Sequence, residues 1–185
     1  MKTNPEQVLQ RVRQRVGVSD VGALLARDRR LRSGSVAIVP SVPEEIPALI
    51  LLIETRKTRA RVPLKFKRTP ELLRATWPRV RWIVARRDGR LVGCIELRPV
   101  PEETNAWEIG SFSQAADNRN PRVLLRLWAA AFRELAALGA RVAVVEIHRD
   151  NEPAWAFIAR LPFRPDPTPS PHPEFVRYRM DLSAS

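Results

Sequence analysis

The stretch from residue 106 to residue 164 constrains the fold of this chain more than any other. It begins with the apolar run AWEIGSFSQ and a polar turn, continues with PRVLLRLWAAAFRELAALG, and then with ARVAVVEIH. A strand, a long helix and a second strand in this order predict a βαβ unit, which a short helix over residues 152–160 follows. The first strand of such a unit leads to the N-terminus of its helix, and a helix N-terminus is a natural binding site for an anion.

Local signals set the limits of these elements. Apolar residues recur with a period near 3.6 over residues 121–138, and Gly139 follows as a stop signal. Residues 142–147 form a mostly β-branched run, which is typical of a strand buried on both faces. Asn151 is well placed to cap the short helix that comes next.

Residues 1–34 are predicted to form a helical extension that is separate from a domain over residues 35–185. Asn4 can cap a first helix, and Ser19 or Asp20 can cap a second. The second helix ends in a cluster of arginines: Arg27, Arg29, Arg30 and Arg32. This cluster could bind nucleic acid or a partner. Alternatively, the extension packs on its own domain or on a second copy of the chain in a homodimer, and its arginines face solvent.

Between these regions the pattern predicts further strands, helices and turns. Strands are expected at residues 35–42, 81–85, 90–98, 107–114 and 175–182, and helices at 43–61 and 70–76. Asp88 and Gly89 join two strands in a tight hairpin, and Gly93 predicts a bulge or a close approach by another backbone. The charged run at 57–68 and the segment 164–174, with its five prolines, predict loops. The charged run is a second candidate for contact with an anion.

Composition limits the class of protein. The 185 residues carry a formal charge of +12, which favours polyanions such as nucleic acid or phosphorylated cofactors but also serves solubility alone. A hydrophobic content of 44% supports one folded domain. The longest apolar run, residues 46–53, contains a proline and is too short to cross a membrane, so no membrane segment is expected. The single cysteine, Cys94, excludes an internal disulfide, fits a cytoplasmic protein and is expected in the core.

The order of elements over residues 35–182 resembles the GNAT acyltransferase superfamily. That family opens its long helix with R/Q-x-x-G-x-G/A, and the matching segment here is residues 114–124. Arg119 matches the first position of the motif. Other positions differ: Arg122 and Leu124 replace the two glycines, and Gln114 and Ala116 replace a valine and a proline that precede them. A second family segment, N-x-x-A-x-x-x-Y-x-x-x-G-F, is matched by Asn151, Ala154 and Phe163, with Ile158 and Pro162 at the tyrosine and glycine positions.

The resemblance implies an α/β fold of GNAT type, with a mixed central sheet flanked by helices. It further implies transfer of an acyl group from acetyl-CoA to a primary amine. The backbone of three residues would bind the pantetheine arm: Gln114, Ala115 and Ala116. The start of the helix would bind the pyrophosphate through Arg119, Asn120, Arg122 and Val123, and Asn151 would complete the CoA site.

The departures from the motifs leave alternatives open. A glycine lets a backbone approach a pyrophosphate closely, but the guanidinium of Arg122 could bind the phosphate instead. The family tyrosine that protonates the leaving thiolate is absent, and the only tyrosine is Tyr178. The alternative function is a catalytically degenerate GNAT-fold protein that binds a partner or nucleic acid through its basic surface. A third is a structural subunit of a larger assembly.

Acyl transfer to an amine requires a proton acceptor. Glu108 lies on the strand that leads to the helix, where a base tends to lie in this family; alternatively it pairs with one of the many arginines. Glu96 and Glu146 are the second and third carboxylate candidates. His148, at the end of a strand, could act as a base near neutral pH or serve only as a hydrogen-bonding strand end. His172 is expected to be exposed, and the sequence predicts no metal site.

Overall fold

In the computed structural model, residues 4–18, 20–31, 36–60, 68–101, 103–117 and 120–182 are described. The helices among them are α1 (Pro5–Val16), α2 (Val21–Leu31), α3 (Ile46–Ala60), α4 (Pro70–Thr76), α5 (Pro121–Ala137) and α6 (Glu152–Ile158). The strands are β1 (Val36–Pro40), β2 (Arg81–Arg87), β3 (Arg90–Pro99), β4 (Ala106–Gln114), β5 (Val142–His148), β6 (Arg164–Pro165) and β7 (Phe175–Asp181).

The strands form one seven-stranded sheet in the order β1-β2-β3-β4-β5-β7-β6. Only β4 and β5 run parallel, and they are joined by α5; every other described pair is antiparallel. The predicted βαβ unit therefore lies at the centre of the sheet. The mixed sheet with flanking helices confirms the predicted α/β class.

Alternation along the strands divides the core into two layers. On one face, residues such as Ile83, Ile95 and Ile109 pack with the buried stripe of α5. On the other face, Trp82, Val84 and Cys94 pack with α3 and α4. From Gly93 onward, even-numbered residues of β3 therefore point toward α3 and α4, which we call the α3/α4 face, and odd-numbered residues point toward α5. Before this point a bulge against β2 reverses the alternation, so that Leu91 packs on the α3/α4 side and Val92 on the α5 side.

The N-terminal helices pack on the α5 side of the sheet. Leu9, Val21 and Leu24 are buried in the same core as α5. Arg13 of α1 donates to the carbonyl of Ala159 at 3.3 Å, just beyond the end of α6. The extension thus shares a core with the rest of the chain, while the domain boundary near residue 35 stays a prediction.

Two glycine positions behave as their sequence context predicts. Asp88 and Gly89 both have positive φ, at 50° and 77°, as a tight hairpin turn requires. At Gly93, a β-carbon would lie 3.0 Å from Leu127 and 3.3 Å from the carbonyl of Ser113, so the expected close approach is present.

The proline-rich segment differs from its prediction at one end. Residues 164–165 form the short strand β6, which pairs with β7, although five prolines indicated a loop throughout. Proline lacks a backbone donor but is tolerated in an edge strand, and β6 is the edge of this sheet. Residues 61–67 of the charged run lie outside the described residues.

Candidate active site

The parallel strands β4 and β5 separate part-way along their length. Pairing joins Ala106–Glu108 to Val142–Val144 and goes no further, although both strands are fully described and continue to Gln114 and His148. Residues 109–114 and 145–148 thus flank an opening, which we call the β4–β5 gap. Along residues 109–114, no strand of the described part of the chain pairs with β4 on this side, so the backbone here is available to an extended ligand.

A β-bulge lies where the gap begins. Cys94 pairs with Ser113 and Glu96 with Gly110, so β4 carries one more residue than β3 between these pairs. Ser111 has a φ of 45°, in the left-handed region that a side chain disfavours. Such a conformation persists only where the surroundings hold it.

The start of α5 lies beside the open end of the gap. The Gln114 side chain donates to the carbonyl of Asn120 at 2.9 Å, which ties the end of β4 to the helix. Asn120 is the N-cap, and its side-chain oxygen accepts from the N–H of Arg122 at 2.9 Å. Its carbonyl accepts from the N–H of Val123 at 3.0 Å. Pro121 has no N–H to offer, and the N–H groups of Arg122 and Val123 both donate to Asn120. The first amides of this helix are therefore already engaged.

The predicted phosphate-binding residues differ in how accessible their side chains are. The side chain of Arg122 is exposed and can turn toward an anion. The side chain of Val123 is 1% exposed and belongs to the core, so only its backbone faces the helix start. Arg119 lies outside the described residues.

The predicted pantetheine-binding residues also differ from one another. Ala115 donates its N–H to the carbonyl of Val92 at 3.0 Å, so that amide already serves β3. Gln114 is paired with Gly93 in the register of the sheet, and Ala116 lies in the turn that follows β4. Their roles in binding a ligand stay predictions.

Glu108 forms a bidentate ion pair with Arg98, directly across from it on β3. The distances are 3.0 Å from Nε to Oε2 and 2.6 Å from Nη2 to Oε1. Burial on its own lowers the pKa of Arg98, but the charges of Glu108 and Glu96 outweigh it and the net pKa is raised. The alternative stated for Glu108, pairing with an arginine, is thus present in the structure.

Glu96 forms a second buried ion pair on the same face, with Arg68 from the segment before α4. The Ser111 hydroxyl donates to Oε2 of Glu96 at 2.6 Å and accepts from Nη2 of Arg68 at 2.8 Å. Burial is the largest influence on Arg68 and lowers its pKa, although the charge of Glu96 opposes this. Both ion pairs border Gly110, whose hydrogen-only side chain leaves room beside them.

Glu146 of β5 also lies on this face, and its charge acts on Arg98. Its Oε2 accepts from the hydroxyl of Ser170 at 2.9 Å, which anchors the proline-rich loop. Together these side chains form one cluster, which we call the polar cluster: Arg68, Glu96, Arg98, Glu108, Ser111 and Glu146. It faces the same side as α3 and α4, at the closed end of the gap.

His148 ends β5, as predicted, but lies away from Glu108. Val144 is the register partner of Glu108, and His148 comes four residues later, roughly 13 Å along the strand. Nδ1 of His148 accepts from the N–H of Asp150 at 3.2 Å, so the neutral ring carries its proton on Nε2. The ring also packs edge-on against Phe175, with centroids 5.3 Å apart.

The remaining predicted residues have structural partners. Asn151 caps α6 and accepts from the N–H of Ala154 at 3.4 Å. Tyr178 pairs with Val145 in the register, and so lies on the α5 side of the sheet, away from the polar cluster. Cys94 is buried. Among the described residues, no three His, Cys, Asp or Glu side chains form a group that could hold a metal ion.

Sequence reasoning missed Arg68, Arg98, Ser111 and Ser170. Arg98 had a usable signal, since it follows Glu96 by two residues and so shares its face of the strand. The other three offered none, because a bulge brings Ser111 into the polar cluster, and two loops bring Arg68 into it and Ser170 into contact with it.

The sequence profile described as Acetyltransferase (GNAT) family matches residues 51–163 of this chain. The chain belongs to the GNAT acetyltransferase family. The match runs from within α3 to just beyond α6, and therefore includes the β4–β5 gap and the polar cluster. The predicted family and the predicted fold are both confirmed.

Solved structures with this fold agree with the assignment. The chain is similar to PaiA N-acetyltransferase from Thermoplasma acidophilum in complex with coenzyme A, with 16% identity, a TM-score of 0.62, and coverage of 80% of this chain and 100% of that one. A GNAT-family acetyltransferase from Staphylococcus aureus Mu50 has 17% identity, a TM-score of 0.67, and coverage of 80% and 99%. N-acetylglutamate synthase from Neisseria gonorrhoeae, complexed with coenzyme A and N-acetyl-glutamate, has 19% identity, a TM-score of 0.65, and coverage of 81% and 36%.

Among curated protein sequences, none matches this chain. In the part of the chain that the structure describes, the helices are all too short or too polar to span a membrane.

Proposed function

We propose that this protein transfers an acetyl group from acetyl-CoA to a primary amine. The observation that carries the proposal is the β4–β5 gap, which opens beside the start of α5 and closes at the polar cluster. Two of the similar structures contain coenzyme A, which supports acyl-CoA as the donor. The identity of the amine is left to experiment.

The donor is expected to lie along β4. An extended pantetheine arm can add to the unpaired edge of residues 109–114 as an extra strand would. Its phosphate end would face the start of α5, near Gln114 and Arg122. Ser111 lies three residues back along β4, roughly 10 Å away, so the thioester end reaches the bulge and the polar cluster.

The pyrophosphate is expected to be held mainly by guanidinium groups. The first amides of α5 are engaged by Asn120 and are free for an anion only if that cap is displaced. The side chain of Arg122 is exposed, and the sequence places a second arginine, Arg119, three residues before it. Two arginines can bind phosphate oxygens in bidentate fashion, which compensates for the missing glycines.

In the reaction, the neutral amine nitrogen attacks the thioester carbonyl carbon, the C–S bond breaks, and CoA leaves as a thiolate. The amine nitrogen loses a proton, which Glu108 or His148 accepts, directly or through water. Glu108 is nearer the closed end of the gap and is the first candidate. No tyrosine of this chain lies on that face, so water protonates the thiolate or the thiolate leaves as such.

Thermal unfolding with acetyl-CoA tests the proposal. A ligand at about 100 times its dissociation constant stabilises the folded protein by roughly 2.7 kcal/mol, which is a visible shift. Arg122→Ala should weaken this shift, whereas Arg11→Ala, an exposed arginine on α1, should not. Adenine nucleotides without the pantetheine arm should bind more weakly.

The same unfolding experiment can also refute the proposal. If millimolar acetyl-CoA and CoA both leave the unfolding temperature unchanged, the acyltransferase proposal is refuted. Binding to DNA or RNA that weakens steeply with salt would then favour the nucleic-acid alternative.

A further inference from the structure

The strained backbone at the Ser111 bulge requires stabilising contacts beyond the hydrogen bonds of the sheet. Its φ of 45° is unfavourable for a serine, and β4 has lost its neighbour β5 two residues earlier. Among the described residues, the backbone around Ser111 therefore has a neighbouring strand on one side only, which is β3.

Those contacts come from a buried ion pair. The Ser111 hydroxyl donates to Glu96 at 2.6 Å and accepts from Arg68 at 2.8 Å, and Arg68 also pairs directly with Glu96. The thiol of Cys94 donates to the Ser111 carbonyl at 3.6 Å. The side chains of Glu96 and Arg68 are only 3% and 11% exposed, so water competes little for these hydrogen bonds.

We propose that Arg68 and Glu96 form a clamp that holds the Ser111 bulge in the shape that receives the acetyl thioester. The inference rests on the proposed function, which brings the thioester end of acetyl-CoA to Ser111. It makes Glu96 a positioning residue rather than the base that its sequence position suggested.

The contacts of Glu96 favour positioning over proton transfer. Its Oε2 accepts from both Arg68 and Ser111, so this oxygen is directed toward the bulge. Glycine adopts a positive φ without cost, so a glycine at position 111 should make the clamp unnecessary.

The test compares Glu96→Gln and Arg68→Met with the same changes combined with Ser111→Gly. Titration calorimetry measures the affinity for acetyl-CoA and for CoA, which lacks the acyl group. Glu96→Gln should bind acetyl-CoA roughly tenfold more weakly, the order expected when a strained backbone site is released, while CoA affinity changes little. Adding Ser111→Gly should restore acetyl-CoA binding, whereas adding Ser111→Ala should not. Glu134→Gln, on α5, is the control.

Three results would overturn the clamp. Glu96→Gln could bind acetyl-CoA as the unmodified protein does. The affinities for acetyl-CoA and CoA could fall by the same factor, which would indicate general damage. Ser111→Gly and Ser111→Ala could rescue equally, which would exclude backbone strain. A fall in kcat with unchanged acetyl-CoA affinity would instead restore Glu96 as a base.

Failure of the proposed function is distinguishable from failure of the clamp. If the unmodified protein binds no acetyl-CoA, the function is refuted. The clamp is then judged by urea unfolding alone: Glu96→Gln should destabilise the protein, and Ser111→Gly but not Ser111→Ala should recover part of the loss. No recovery would refute the clamp as well.

Discussion

The Arg98–Glu108 pair gives the sharpest prediction. Arg98→Met keeps much of the apolar stem but removes the bidentate partner of the Glu108 carboxylate inside the polar cluster. Breaking one partner of a buried pair costs about 3–5 kcal/mol. Because the two side chains keep 18% and 11% of their surface exposed, we expect the lower end, about 3 kcal/mol.

Urea and thermal unfolding measure this loss. For a chain of this length, about 3 kcal/mol corresponds to a fall in Tm of roughly 6–12 °C. The double variant Arg98→Met with Glu108→Met should recover most of the loss, since replacing both charges by apolar groups is often neutral or stabilising.

The ion-pair prediction would be refuted if the free energy of unfolding of Arg98→Met at neutral pH lay within about 0.5 kcal/mol of that of the unmodified protein, as it does for surface changes.

Glu108→Gln separates the two roles that the sequence left open for Glu108. An ion-pair role predicts a clear loss of stability. A role as base predicts a fall in kcat of roughly 10²–10⁴ with little effect on unfolding.

Three further predictions concern stability. Gly93→Ala should cost about 1–3 kcal/mol in urea unfolding, because its methyl group would lie 3.0 Å from Leu127. Gly110→Ala, with its nearest neighbour 3.8 Å away, should stay within roughly 0.5 kcal/mol, and equal losses would contradict this packing. Asp28→Asn should cost about 3 kcal/mol, because this buried carboxylate pairs with two arginines of α5; a neutral result in urea would contradict the pairing. Burial raises the pKa of Tyr178, the only tyrosine, so tyrosinate absorbance should appear only above about pH 10. The neutral hydroxyl therefore contributes fully to the free energy of unfolding below about pH 10, and this contribution is lost as the pH rises through the raised pKa. In Tyr178→Phe, the free energy of unfolding should not show this fall at high pH.

The elements that the sequence predicted well are those whose signals are local. Helical periodicity placed α5 within one residue of its observed end, and Asp88-Gly89 placed the hairpin turn. Each depends on residues close together in the chain, where propensity and pattern act directly.

The geometry of the site depends on contacts that no local pattern encodes. Ser111 adopts a positive φ without being glycine or asparagine, so nothing in the sequence marks the bulge. That bulge shifts the register between β3 and β4, and the register decides which charges face each other. Arg68 joins the polar cluster, and Ser170 hydrogen-bonds to its Glu146, from segments distant in sequence.

The side-chain cap of α5 also had a local signal in the sequence. Asn120 followed by Pro121 is typical of an N-cap and the first residue of a helix. A side-chain cap engages the amides that an anion would otherwise use, so the sequence already indicated a helix start with few free donors. Under the proposed function, the departure from the glycine motif and the capped helix are two aspects of one change, from backbone to arginine recognition of phosphate.

Under the proposed function, the polar cluster limits how the proton of the amine can leave. Both carboxylates nearest the bulge, Glu96 and Glu108, are paired with arginines, and these contacts engage oxygens that a proton acceptor would use. His148 has its accepting nitrogen engaged by Asp150 and lies farther along β5. The arrangement is therefore better suited to orienting an amine that arrives neutral than to deprotonating a strongly basic one. Under this view the missing tyrosine is consistent with the rest of the site, because the chain positions the reactants and leaves much of the proton transfer to water.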